Sequence, residues 1–116
     1  MIRITVFKKN KKQICGFQVE GHAEYGPYGQ DIVCSAVTAL VFNAINSIEA
    51  LTTEPIEYEY NPEGGRIICR FLNAYQFDIG QEAKLLIESM LLGLSHIQND
   101  YGEKYINIID EEVELC

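Results

Sequence analysis

Ile2 to Glu20 reads IRITVFKKNKKQICGFQVE, and the fold turns on how this stretch is read. Ile2, Ile4 and Val6 alternate with Arg3, Thr5 and Phe7, the period of two that a half-buried strand shows. Lys8-Lys9-Asn10-Lys11-Lys12 then makes a polar turn, and Gln13 to Glu20 is a second strand-like run, so the chain opens with a β-hairpin. The pattern recurs further along: Ile56-Glu57-Tyr58-Glu59-Tyr60, a turn at Asn61-Pro62-Glu63-Gly64-Gly65, and a return over Arg66 to Leu72. Between the hairpins Ile32, Val33, Ala36, Val37, Leu40, Val41, Ala44, Ile45 and Ile48 recur at helical spacing, with Asp31 as N-cap and an end near Leu51. After the second hairpin, Asp78 with Gln81 resembles a capping box. Ala83, Leu86, Ile87, Met90, Leu94 and Ile97 then mark a second helix ending near Tyr101-Gly102. Tyr105 to Ile109 is a last short strand, and the acidic tail from Asp110 to Cys116 should fray.

The order ββαββαβ favours an α+β two-layer sandwich, a mainly antiparallel sheet of about five strands under two helices, over a doubly wound parallel sheet. A chain of 116 residues at 47% hydrophobic supports one domain, 1–116, with a single core. Helix one is apolar on more than one face; the sheet takes one, and the rest predicts a homodimer contact in preference to deeper burial against helix two.

Seven Tyr, 5 Phe and only 22% charged residues argue against disorder. Nine Lys and Arg against 17 Asp and Glu give −8, which repels a phosphate backbone, so no direct nucleic acid partner is expected and a basic partner suits better. Arg3, Lys8, Lys9, Lys11 and Lys12 make the first 12 residues +5, leaving −13 on the rest; the basic run reads as a solvated hairpin tip. The chain starts without a cationic segment leading into an apolar one, which predicts a cytoplasmic protein. Ile32 to Leu51 includes Ser35, Thr38, Asn43, Asn46, Ser47 and Glu49, too polar for a membrane span, so no membrane partner is expected. Cys15, Cys34, Cys69 and Cys116 contain no C-x-x-C pair, which predicts no metal site, no cofactor and free thiols in a reducing compartment. Cys15 and Cys69 read as core thiols, Cys116 as exposed and incidental, His96 as a surface residue, and Gly64-Gly65 as a turn with no phosphate-loop sequence after it.

The least generic window is Gly21 to Leu40, G-H-A-E-Y-G-P-Y-G-Q-D-I-V-C-S-A-V-T-A-L. A His at a strand end, a Gly-rich loop and a Cys in the first turn of a helix together supply a thiol nucleophile and its base. Unpaired N–H groups and the helix dipole favour a thiolate at Cys34, and a nearby imidazole stabilises that charge. The first-turn N–H groups, those of Cys34 and Ser35, point where an oxyanion would develop. Eleven residues separate His22 from Cys34, enough for the loop to fold back. Spacing alone leaves the bland reading open, a small core cysteine and a surface histidine.

The window closely resembles the signature of the ribosomal-processing cysteine proteases of bacteria, G-H-A-x-Y-G-x-x-G-x-D-I-V-C-S-A-V. The resemblance spans the whole chain in length and element order, and is looser in helix two and the final strand. It implies that His22 and Cys34 are the catalytic dyad. It also implies a small homodimeric α+β domain that removes a short N-terminal extension from a large-subunit ribosomal protein, cutting after an aromatic residue. Thr38 stands where that pattern commonly has Ser; its hydroxyl shares the helix side of Cys34 and serves either the thiolate and substrate or its own helix carbonyl. Asp31 has two readings, N-cap or a third catalytic member orienting His22, and capping is the stronger because a carboxylate beside Cys34 opposes thiolate formation. Tyr25 and Tyr28 either pack on the loop's own body or line an aromatic peptide pocket, while Gly26 and Gly29 give the loop freedom to move.

Two rival functions follow from other readings. A non-catalytic ribosome-assembly factor would hold a basic ribosomal protein on the basic hairpin and loop 23–30, with binding but no turnover and an ordinary Cys34 pKa. A metal module on His22, Cys34 and His96 lacks any recognisable ligand spacing.

Overall fold

The alternation of the first strand places Ile2, Ile4 and Val6 in the core at 3% exposure or less, and the second strand adds Phe17 and Val19 beside them. The turn between them carries Asn10 and Lys11 at φ 56° and 64°, the left-handed pair that matches a tight hairpin to the strand twist. The computed structural model describes residues 1–27 and 30–116. Its elements are β1 (Ile2–Lys9), β2 (Gln13–Glu20), α1 (Ile32–Leu51), β3 (Ile56–Asn61), β4 (Arg66–Phe71), α2 (Gln81–Tyr101) and β5 (Ile106–Glu112). One five-stranded sheet runs β3-β4-β2-β1-β5. The pairings β1–β2, β2–β4 and β3–β4 are antiparallel, and β1–β5 is parallel, Ile2 facing Ile106. The α+β sandwich of order ββαββαβ is therefore the observed fold.

Both helices lie on one face of the sheet. Val33, Val37, Val41, Ile45 and Ile48 of α1 and Ile87, Met90 and Leu94 of α2 close a single core with Ile4, Val6, Phe17 and Ile106. Each such side chain contributes about 1.5–3 kcal/mol relative to exposure. By length and composition α1 is apolar enough to cross a membrane; here six of its residues are buried against sheet and partner helix. Part of its surplus apolar surface is taken up by α2, since Leu40 packs where a side chain on Gly93 would stand.

Three expectations need correction. Asp78 does not cap α2: the N-cap is Gly80, whose N–H donates instead to Glu54 Oε1 at 2.6 Å. Asp78 and Gln81 have the capping-box spacing, but the chain enters the helix only at Gly80. Cys15 and Cys116 are not free thiols but a disulfide linking residues 101 apart, so Cys116 is not incidental. Cys34 and Cys69 are free. The acidic tail does not simply fray: β5 continues to Glu112, and Val113 N–H donates to the Lys8 carbonyl at 2.8 Å. The parallel pairing explains this, because it lays the acids beside the basic hairpin tip. Lys8 Nζ meets Asp110 Oδ2 at 3.1 Å, and Lys11 N–H donates to Glu112 Oε2 at 3.0 Å.

Candidate active site

At the end of β2 the chain must turn sharply, and Gly21 does so at φ +90°, where a Cβ would stand 2.5 Å from the Met1 carbonyl oxygen. His22 follows, its carbonyl accepting from the Met1 ammonium at 2.6 Å. The loop then folds back as its length allowed: Ala23 N–H donates to Cys34 Sγ at 3.2 Å. Two residues on, Tyr25 N–H donates to Asp31 Oδ2 at 2.9 Å. Asp31 Oδ1 accepts from both Val33 and Cys34 N–H at 3.0 Å, so this carboxylate caps α1 and grips the loop at once. Asp31 is the N-cap through Oδ1, and its Oδ2 is taken by the loop.

His22 and Cys34 line one cavity of about 480 Å³, joined by Asp31, Ser35, Thr38, Gly26 and Glu24. Its other wall comes from the second hairpin, through Tyr60, Pro62 and Gly65. That wall was missed from sequence, where Gly64-Gly65 reads only as a turn. Gly65 sits at φ +59°, and a Cβ there would lie 2.9 Å from His22 Cε1 and 3.0 Å from Nε2. Only a glycine lets the turn back the imidazole this closely.

Two expectations about Cys34 change. Its N–H and that of Ser35 are engaged by Asp31, the second through the backbone oxygen at 3.0 Å, so they are not free oxyanion donors. Nor does the helix start by itself produce a thiolate. Burial pushes the Cys34 thiol up, the Asp31 carboxylate adds to this, and the Ala23 N–H and the Met1 ammonium offset it only in part. Burial would also lift Asp31, but the N–H groups of Cys34, Tyr25 and Gly26 win and hold it below the ordinary carboxylate range. Cys69, buried in β4 with Glu49 near, is pushed up to about 12 and stays an inert thiol.

Tyr25 is not among the residues that line this cavity. Its ring meets Tyr101 and Tyr105 edge-on, at centroid distances of 5.3 and 5.1 Å. The substrate-loop candidates Tyr28 and Gly29 lie outside the described residues. His96 is exposed on α2. Among the described residues no group of three or more His, Cys, Asp or Glu is placed to hold a metal ion.

A free thiol that accepts a backbone N–H, in a cavity it shares with an imidazole, is the equipment of a cysteine hydrolase. Residues 1–107 match the model of the family described as cysteine protease Prp. The chain is 37% identical over 104 residues to the ribosomal processing cysteine protease Prp of Bacillus subtilis (strain 168), covering 89% of this chain and 92% of that one. It is 31% identical over 103 residues to the Prp of Staphylococcus aureus (strain Mu50), covering 89% and 93%. The crystal structure of Staphylococcus aureus Prp with a covalently linked product peptide superposes at TM-score 0.84 and 29% identity, over 96% of this chain and 100% of that one. The same protease with a substrate peptide gives TM-score 0.80 at 28% identity, over 96% and 100%. The chain belongs to the cysteine protease Prp family and is a cysteine protease. The non-catalytic reading is set aside with that.

Proposed function

We propose that the chain is an endopeptidase whose nucleophile is Cys34 and whose general base and acid is His22. The observation that carries this is the Ala23 N–H at 3.2 Å from Cys34 Sγ, which places the residue after His22 against the sulfur. Cys34 Sγ, relieved of its proton by His22, attacks the scissile carbonyl carbon. The C–N bond breaks as His22 returns that proton to the leaving amine, and a thioester remains on Cys34. Water, giving a proton to His22, then attacks the thioester, and the acid leaves as the thiol is restored. Because the thiol is pushed up in the free site, the imidazole has to take its proton; the helix start alone does not ionise it.

The substrate in this reading is a large-subunit ribosomal protein with a short N-terminal extension, cut after an aromatic residue. The relatives named above are ribosomal processing proteases, and one is seen with a substrate peptide. Ribosomal proteins are basic, which suits a chain of net charge −8. Ser35, Thr38 and Gly26 on the wall would meet the peptide. A cytoplasmic location and a homodimer belong to the same proposal. The dimer contact would use the outward face of α1, where Ile32 and Ala39 leave apolar surface exposed beside Asn43 and Asn46. Light scattering reads the oligomer directly, and a monomer at working concentration removes that part.

The test is to incubate the purified chain with N-terminally extended ribosomal proteins and read the products by mass spectrometry. One new N-terminus following an aromatic residue is expected. Intact substrates throughout would overturn the assignment.

A further inference from the structure

Glu24, between the base and the nucleophile, holds φ +59°, a backbone conformation that L-residues other than Asn and Asp seldom take. Such a conformation persists only where the surroundings over-determine it. Polar ties fasten it on either side, Ala23 N–H to Cys34 Sγ at 3.2 Å and Tyr25 N–H to Asp31 Oδ2 at 2.9 Å. The third tie is aromatic. The Tyr25 ring stands edge-on to Tyr101 at 5.3 Å and 85°, and to Tyr105 at 5.1 Å and 76°. Tyr101 is the last residue of α2 and Tyr105 immediately precedes β5. This platform is itself fixed to the sheet: Tyr105 N–H donates to the Gly102 carbonyl at 3.1 Å, and the Tyr105 carbonyl accepts from Ile2 N–H at 2.8 Å. The ring of Tyr25 is thus seated between Tyr105, which packs against the core, and the more exposed Tyr101, both far along the chain from either catalytic residue.

We propose that Tyr101 and Tyr105 are positioning residues for this protease: they form a socket for the Tyr25 ring that keeps Glu24 left-handed and thereby holds the Ala23 N–H against Cys34 Sγ. The inference rests on the reading of Cys34 as nucleophile. Neither tyrosine touches the reacting atoms. Each acts through Tyr25 and the two peptide units that precede it, and the consequence falls on the sulfur, which loses its N–H donor when the ring is unseated.

The experiment compares Tyr101→Ala, Tyr105→Ala and the corresponding Phe substitutions, each alone and combined with Glu24→Gly. It reads kcat, KM, melting temperature and the pH profile of Cys34 alkylation by iodoacetamide. An edge-on ring pair is worth about a threefold to tenfold change, so each Ala variant should lose that factor in kcat with a smaller change in KM. The Phe variants keep the ring and should keep wild-type kcat. The alkylation midpoint should move to higher pH in the Ala variants only, because the N–H that favours the thiolate has left. In the Glu24→Gly background the left-handed turn is free of strain, so the same Ala substitution should cost less. Tyr101 is 38% exposed, so if Tyr105→Ala fails to fold, Tyr101→Ala carries the test. Well-folded Ala variants with wild-type kcat and an unmoved alkylation profile would overturn the socket, as would an equal loss in the Glu24→Gly background. If the wild type cuts no substrate, the protease reading of Cys34 and His22 fails, while the alkylation profiles still decide whether the socket acts on Cys34.

Discussion

Gly65→Ala should damage turnover more than it damages the fold. The added methyl meets two obstacles at once: 2.6 Å from the Gly21 carbonyl oxygen, and 2.9 Å from His22 Cε1. Ordinary carbon contacts lie at about 3.5–4.0 Å, so something must move by roughly 0.5–1 Å. The Gly21 oxygen cannot yield cheaply, because Gly21 is wedged against Met1 and the next carbonyl accepts the Met1 ammonium at 2.6 Å. The imidazole and the turn therefore part. A displacement near 1 Å at a reacting group costs about 10²-fold, so kcat should fall by roughly 10- to 100-fold. The fold suffers separately, since an alanine at φ +59° pays about 1–2 kcal/mol for the left-handed backbone. That lowers the melting temperature by several degrees and leaves the chain folded at assay temperature. The assay is steady-state cleavage of an N-terminally extended ribosomal protein, with thermal melting and Cys34 alkylation alongside. Turnover within about twofold of wild type would refute the argument that Gly65 sets the position of His22.

His22→Ala should lower kcat by roughly 10²–10⁴ while KM changes little, as loss of general acid–base catalysis requires, and unchanged kinetics would return His22 to a structural role. Asp31→Asn should destabilise the protein at pH 7 by about 1–2 kcal/mol, because the amide has one accepting oxygen where both carboxylate oxygens accept, so either the helix N–H groups or the Tyr25 N–H loses its acceptor. The folded Asp31 pKa is depressed, so its stabilising share is complete above the unfolded value of about 3.9 and disappears as pH falls through the lower folded value. The melting curves of wild type and variant should therefore converge in acid, and a constant gap down to pH 2 would contradict the assignment. The same substitution removes a carboxylate that pushes the Cys34 thiol up, so its alkylation midpoint should drop.

The elements were readable in the sequence wherever local chemistry decided them. Asp31 sits at an N-cap because its short carboxylate reaches the Val33 and Cys34 amides, and the alternation from Ile2 to Val6 needs no partner to be seen. The His22 and Cys34 window is local too, one turn and one helix start, but its spacing leaves a core cysteine and a surface histidine open, and only the resemblance of the window selects the dyad. What was hidden depends on contacts between distant segments. Gly65 backs His22 from the other hairpin, and Tyr101 and Tyr105 seat Tyr25 from the far end of the chain. Pairing of β1 with β5 brings the tail to Cys15, which spacing between cysteines could not foretell. Asp78 shows the opposite failure: the capping pattern is present, but the backbone reaches helical geometry only after Gly80.

The most direct test of Cys34 as nucleophile is single-turnover cleavage of an extended ribosomal protein by Cys34→Ala, read by mass spectrometry beside the wild type. Cys34 is only partly buried and its side chain is small, so the variant should fold and melt close to wild type. Wild type should release the extension as one peptide through a thioester on Cys34, and Cys34→Ala should bind the substrate and release nothing. Release of the same peptide at the wild-type rate by Cys34→Ala would contradict the account.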